Sequence, residues 1–300
     1  MPSMISILRP VFFVSLLHSI FVQAHSHSDE VKFKPVQVTE SITMLAAKGG
    51  GNVGVFVGND GTFLIDDQFA PLTPKLLASI KSLGGTVPKY LINTHYHGDH
   101  SGGNENLGNE GAIIVAHDNV REILKKGSYI KTFDMKQPPL KKEGLPSITF
   151  AEEIKFHLND DTVQVFHTPN AHTNGDGIVH FTKANVFHAG DVFFNGFYPF
   201  IDVDHGGSLK GMIAAVDQLL LKVNADSKII PGHGPLASLN DLKNYRAMLV
   251  TVNERLGELK KAGFNLEEAL SKKPLAELDA AWGKGFFSTD DFVKMIYLSL

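Results

Sequence analysis

Short apolar runs, broken at close intervals by Gly, Pro, Asn and Asp, fill the first two-thirds of the chain, and longer runs with helical spacing follow. The short runs read as strands and the long ones as helices. Residues 36–47 read as an edge strand. Residues 53–57 and 62–65 flank Asn59-Asp60-Gly61, and Asp-Gly between two apolar runs signals a hairpin. Residues 74–83 have helical spacing and stop at Gly84-Gly85, a usual helix end. Residues 89–93 and 112–115 read as buried strands, and a helix is expected over 119–126. The polar, Pro- and Lys-rich stretch 127–146 reads as a loop. Strands resume at 154–158 and 162–166, and a second hairpin is expected from 178–181 and 186–188. Residues 209–223 have helical spacing, 228–230 form a short strand, and the chain from 239 onward is mostly helical, with interruptions at Gly263 and Pro274.

The strands therefore come in two clusters, each followed by helices. Two mixed sheets, each covered by helices on its outer face, satisfy the need of a sheet to bury its apolar side. The expected fold class is α/β. No Gly/Ser or Pro-rich linker divides the chain after its N-terminal segment, so residues 25–300 are expected to form one domain whose C-terminal helices, about 239–300, cover the second sheet.

Residues 1–24 carry a different signal. Arg9 precedes an apolar run from Val11 that continues to Val22, and Val22-Gln23-Ala24 places small residues where a signal peptidase cleaves. The run is short for a membrane span of about 20 residues, and His18 interrupts it. A signal peptide is expected, with the mature chain periplasmic or secreted and not membrane-bound after cleavage.

Composition narrows the chemistry. The 300 residues include 28 Lys+Arg against 32 Asp+Glu, a net charge of −4. That balance argues against sequence-independent nucleic-acid binding, which needs a basic face. The chain has no cysteine, which excludes disulfides, a thiol nucleophile and any Cys-ligated metal site. It has 14 histidines, and their placement is informative. Thr94-His95-Tyr96-His97-Gly98-Asp99-His100 directly follows an apolar strand. In extended chain residues i and i+2 point the same way, so His95 and His97 can grip one ion together. Asp99 and His100 lie beyond Gly98, where a turn can redirect them to a second ion. His172, Asp191 and His233 each follow another apolar strand, where loops gather into sites. A nitrogen and oxygen donor set of this kind suits zinc, and also iron or manganese.

The order His-x-His-x-Asp-His, then His, then Asp, then Gly-His-Gly resembles the metallo-β-lactamase superfamily over about residues 53–234. The resemblance implies an αββα sandwich with the site at one edge of the sheets. It implies two zinc ions, one held by His95, His97 and His172, the other by Asp99, His100 and His233, with Asp191 bridging them. Two cations bracketing a water would supply hydroxide at neutral pH, to attack the carbonyl of an ester, lactone, thioester or amide in a small-molecule substrate. Asp99 would orient this nucleophile or shuttle its proton. Tyr198 is a candidate donor to the developing oxyanion. Asp191 departs from authentic zinc β-lactamases, which mostly carry Cys or Ser at the matching place, and resembles the glyoxalase II, lactonase and arylsulfatase-like branches. A true metallo-β-lactamase is the alternative, and a periplasmic metal-binding protein without turnover is a reading of another class.

Three expectations surround this set. The aromatic run 193–200 forms either an apolar wall beside the metals or ordinary core. The stretch 127–146 is either a lid or a plain surface loop. His205 belongs to the layer behind the ligands, whereas His117, His157, His167, His180 and His188 are structural.

Overall fold

The computed structural model of the chain describes residues 31–300. The expected signal segment, 1–24, and the histidines at 25 and 27 lie outside them.

The first strands are β1 (Lys34–Gln37) and β2 (Ile42–Ala46), followed by β3 (Val53–Gly58) and β4 (Gly61–Ile65). The single edge strand expected over 36–47 is therefore two antiparallel strands. The turn between them forms because Thr39 caps it. The Thr39 hydroxyl accepts from Ile42 N–H at 3.1 Å, and the Val38 and Thr39 amides both donate to the Ile42 carbonyl. The hairpin at Asn59-Asp60-Gly61 is present, with Gly58 opposite Gly61.

Next come the helix Thr73–Ser82, β5 (Tyr90–Ile92), β6 (Ile113–His117) and the helix Asp118–Lys126. The expected loop 127–146 contains a two-stranded hairpin, β7 (Ser128–Ile130) and β8 (Met135–Gln137), which belongs to neither large sheet. Its strands are three residues each and turn at Asp134 in the left-handed region, too short for alternation to show in the sequence. Strands β9 (Ile148–Phe150), β10 (Glu153–Leu158), β11 (Asp161–His167), β12 (Gly177–Phe181), β13 (Val186–His188) and β14 (Lys228–Ile230) complete the set. The helices Leu209–Leu220, Leu239–Lys261, Leu266–Ser271 and Thr289–Tyr297 follow β13 and β14 as expected.

One sheet has the order β1-β2-β3-β4-β5-β6-β9, the other β10-β11-β12-β13-β14. Alternation along the strands builds three apolar layers. Phe56, Phe63, Ile65, Ile92 and Val115 of the first sheet meet Val163, Val165, Val179 and Phe181 of the second in a central core. The intervening Val55, Leu64, Leu91 and Ile114 turn outward against Leu76 and Ile80 of the helix Thr73–Ser82. On the far side, Phe166, Ile178, Phe187 and Ile229 pack under the C-terminal helices. This is the αββα sandwich.

Strand direction places the site. β4, β5, β6 and β9 are mutually parallel. β13 is parallel to β14, and β11, two antiparallel steps from β13, runs the same way. The loops that leave β5, β11, β13 and β14 carry the candidate ligands, four after β5 and one after each of the others.

His180 gives the fold a dependence on acid. Its ring stacks on Phe187 at 4.0 Å, and burial, reinforced by Lys222, lowers its pKa to about 4. An unfolded histidine takes its proton near pH 6.5. Its share of stability is therefore complete above that pH and is lost as pH falls from 6.5 toward 4, where only the unfolded chain gains the proton. Urea midpoints for His180→Phe are expected to fall less steeply than wild type across that window. An equal slope would assign the acid sensitivity elsewhere.

Candidate metal centre

After β5 the backbone bends over Thr94–Tyr96, is extended at His97, then enters a single helical turn, Gly98–Ser101. His95 and His97, before the turn, fall in one ligand group, and Asp99 and His100, on it, in another. Gly98 has no left-handed conformation. A Cβ there would lie 2.7 Å from Gln137 Nε2, the end of a flexible side chain on β8.

Two groups form. His95, His97, His172 and Asp191 each offer a ligand atom within 4.8 Å of the others, and Asp99, His100 and His233 form a second group on the same criterion. Asp191 faces both. Its Oδ2 lies 3.7 Å from His95 Nε2 and 3.5 Å from His172 Nε2. Its Oδ1 lies 3.1 Å from His100 Nε2 and 3.4 Å from His233 Nε2. Asp99 Oδ2 is 3.3 Å from His233 Nε2 and 3.5 Å from His100 Nε2. Gly232 makes room for this, since a Cβ there would lie 2.0 Å from Asp191 Oδ1.

The ligands are buried, with Asp99 the most open at 19% exposure. Burial without partners is expensive for polar atoms, yet His95 Nε2 and Asp191 Oδ1 form no hydrogen bond. Converging imidazole nitrogens and carboxylate oxygens, two of them orphaned, fit a metal cation.

The far nitrogens of the imidazoles are held from behind. His97 Nε2 donates to Asp202 Oδ2 at 2.9 Å, which turns Nδ1 toward His172 Nε2, also 2.9 Å away. His172 Nδ1 donates to the Phe200 carbonyl at 2.8 Å. His100 Nδ1 meets Asp66 Oδ2 at 2.7 Å, and the same carboxylate accepts from the Thr94 hydroxyl, which also touches His95 Nδ1 at 3.0 Å. His233 stacks on Phe194. Such outer bonds set the tautomer and ring orientation of a ligand.

Charge follows the same division. Burial holds the His95 imidazole well below its usual pKa, helped by nearby His100, and burial lowers His172 to about 4. Burial opposes charge at His233 as well, but Asp191 and Asp99 win and raise it to about 9. Burial would also raise Asp99, but the His100 and His233 rings hold it near 2, so it is a carboxylate at neutral pH.

With that arrangement in view, the profile of the Metallo-beta-lactamase superfamily matches residues 46–233, a span that contains both groups. The chain belongs to this superfamily, whose members are metal-dependent hydrolases. Its fold matches a metallo-beta-lactamase from Pontibacter korlensis at 18% identity, covering 73% of this chain and 99% of that one with a TM-score of 0.58. The DIM-1 metallo-beta-lactamase gives 17% identity, 74% and 100% coverage and a TM-score of 0.60. The TMB-1 structure gives 16%, 74%, 99% and 0.59. At such identities the likeness concerns the fold. Comparison with curated proteins finds no match.

The structure brings together all the residues expected to hold metal and leaves Tyr198 out. Its ring stacks on Phe292 at 4.5 Å under the C-terminal helices, its amide donates to the Trp282 carbonyl, and burial raises its hydroxyl to about 12. Tyr198 is core, and the expected oxyanion role is withdrawn because Tyr198 is not among the walls of the metal-facing cavity. The aromatic run divides: Phe194 and Phe200 line that cavity, of about 270 Å³, while Phe193 is core. The β7–β8 hairpin contributes Ile130, Phe133 and Met135 to its walls, so the lid alternative describes its position. His205 stands behind the ligands, its Nδ1 2.9 Å from Asp202. His188 is structural, with Nε2 3.2 Å from the Asn52 carbonyl.

Sequence reading missed Asp66 and Asp202. Asp66 had a detectable signal, an acidic residue directly after the buried strand β4, as Asp191 follows β13. Asp202 gave none, because its partner His97 is 105 residues away.

Asp202 also accepts from the Tyr96 hydroxyl, and these bonds keep its carboxyl ionised despite burial. It touches only the His95, His97 and His172 group, so Asp202→Ala should weaken that group's affinity for metal by on the order of 10- to 100-fold. Competition with a chromogenic chelator measures this. Unchanged affinity would show that the backing of His97 is dispensable.

Proposed function

We propose that the protein is a binuclear zinc hydrolase acting on the carbonyl of an ester, lactone, thioester or amide. The observation that carries this reading is the placement of Asp191, with one oxygen toward each histidine group. That is the arrangement by which one carboxylate serves two cations. His95, His97 and His172 would hold one ion, Asp99, His100 and His233 the other, and Asp191 would bridge. Five imidazoles and two carboxylates are a donor set that zinc accepts readily.

The residues divide the remaining work. The metal-facing cavity is walled by Phe69, Ile130, Phe133, Phe194, Phe200 and Phe286, which exclude water from an apolar substrate group. Asp99 is the more open carboxylate of the centre and stays ionised, so it accepts a hydrogen bond from an attacking water and fixes its orientation. No hydroxyl, amide or ammonium side chain lines this cavity, so the walls offer no ordinary donor to an oxyanion. Bound ions would supply the missing Lewis acid and lower the pKa of water.

Location outside the cytoplasm is part of the proposal and rests on the N-terminal apolar segment. A true β-lactamase and a metal carrier without turnover predict different outcomes of one experiment. Elemental analysis of the mature protein is expected to find two zinc per chain, with turnover of a lactone, thioester or aryl ester exceeding that of nitrocefin. Asp191→Ala should lose metal and at least about 100-fold in kcat/KM, since even outer partners of a metal site cost 10- to 100-fold. Preferential nitrocefin turnover would favour the β-lactamase. Two zinc without turnover of any of these would favour the carrier, and no bound zinc would sink the proposal.

A further inference from the structure

Two hollows meet at His233. The metal-facing cavity lies on one side and a larger cleft of about 680 Å³ on the other, and Gly49, His233 and Phe286 wall both. Their chemistry differs. Aromatic and aliphatic groups dominate the first. The second also has apolar walls, Val36, Met44 and Leu236 among them, but carries three exposed lysines, Lys32, Lys34 and Lys48, and among the described residues no acidic one lines it.

Strand register explains the gathering. Lys34 pairs with Ala46 across β1 and β2. Lys32 lies just before β1 and Lys48 in the turn just after β2, so the two strands bring both to the cleft that Lys34 lines. Among the described residues none of these ammonium groups has an ion-pair partner, in a chain whose net charge is −4. Three ammonium groups lining one cleft make its field positive and favour an anion there. An ammonium is a point charge with rotatable donors, so the cleft is suited to an anionic group in general.

We propose that this cleft binds an anionic end of the substrate, resting on the hydrolase reading above. The substrate then carries an apolar group on one side of the scissile carbonyl and a carboxylate, phosphate or sulfate on the other, with His233 and Phe286 at the divide. The first group occupies the aromatic cavity, and the second reaches the lysines.

The test uses three thioesters of equal acyl part: benzoyl thioglycolate, its uncharged carboxamide, and a benzoyl thioethyl phosphate. The zinc-loaded full chain should favour the charged compounds over the carboxamide by about tenfold in kcat/KM at low salt, a ratio that shrinks as salt shortens the Debye length from ~10 Å at 0.1 M toward ~3 Å at 1 M. The double variant Lys34→Gln, Lys48→Gln should bring the ratio close to one. The preferred anion separates carboxylate from phosphate. No preference for charge, or a preference that survives in the double variant, overturns the proposal. Calorimetry keeps the two readings apart. Benzoylglycinate should bind the full chain more tightly than benzoylglycinamide, and the double variant should lose the difference. If neither these thioesters nor a lactone or aryl ester turns over but that difference is present, the hydrolase reading fails and the anion cleft stands. If calorimetry shows no difference, the cleft fails whatever the turnover.

Discussion

A carboxylate buried among four imidazoles is the constraint on which this molecule turns. Asp191 sits at 5% exposure with one oxygen toward His95 and His172 and the other toward His100 and His233. Desolvating such a group is costly unless positive charge faces it from close range. The surrounding fold is shaped to meet that demand. β13 and β14 run parallel so that Asp191 and His233 emerge together, Gly232 gives up its side chain to the carboxylate, and Asp66 and Asp202 hold the imidazoles from behind. The outer layer is neither decoration nor simple stabilisation. It stores the orientation that the inner layer needs, so that little rearrangement is left to a ligand's arrival.

Around this polar centre the fold places carbon. Phe194 stacks on His233, and Phe286 meets the same ring edge-on at 5.1 Å. Phe200 packs against His97 and His172. The hairpin then brings Phe133 to Phe200 and Phe287. Low-dielectric walls strengthen the interactions of charges inside, and the same walls select an apolar substrate group. Selection and electrostatic strength thus come from the same side chains.

Much of this was legible in the sequence, for identifiable reasons. The ligands of both groups were readable because metal chemistry restricts residue type and because strand ends carry them. The sandwich was readable from apolar runs in two clusters. Besides Asp66 and Asp202, three things were not. Thr39 capping, a local hydrogen bond, splits one stretch into β1 and β2 at Thr39-Glu40-Ser41, a polar break too short to announce a turn by itself. The β7–β8 hairpin is held by its position over the site rather than by its own alternation. Tyr198 lies seven residues beyond a ligand, but its side chain follows the packing of the C-terminal helices, which adjacency in sequence does not report. Aromatic residues in one short run can pack on different partners, and here Phe194 meets His233 while Tyr198 meets Phe292.

Gly98 shows how closely hairpin and centre are joined. Gln137 of β8 lies over the glycine of the metal-binding motif, its Nε2 2.7 Å from where a side chain would begin, and its Oε1 accepts from Ser128 of β7. The root of the hairpin therefore rests on the turn that carries Asp99 and His100, while its tip carries Phe133 into the cavity wall. A change of residue at the tip reshapes the cavity without altering the contact at Gly98.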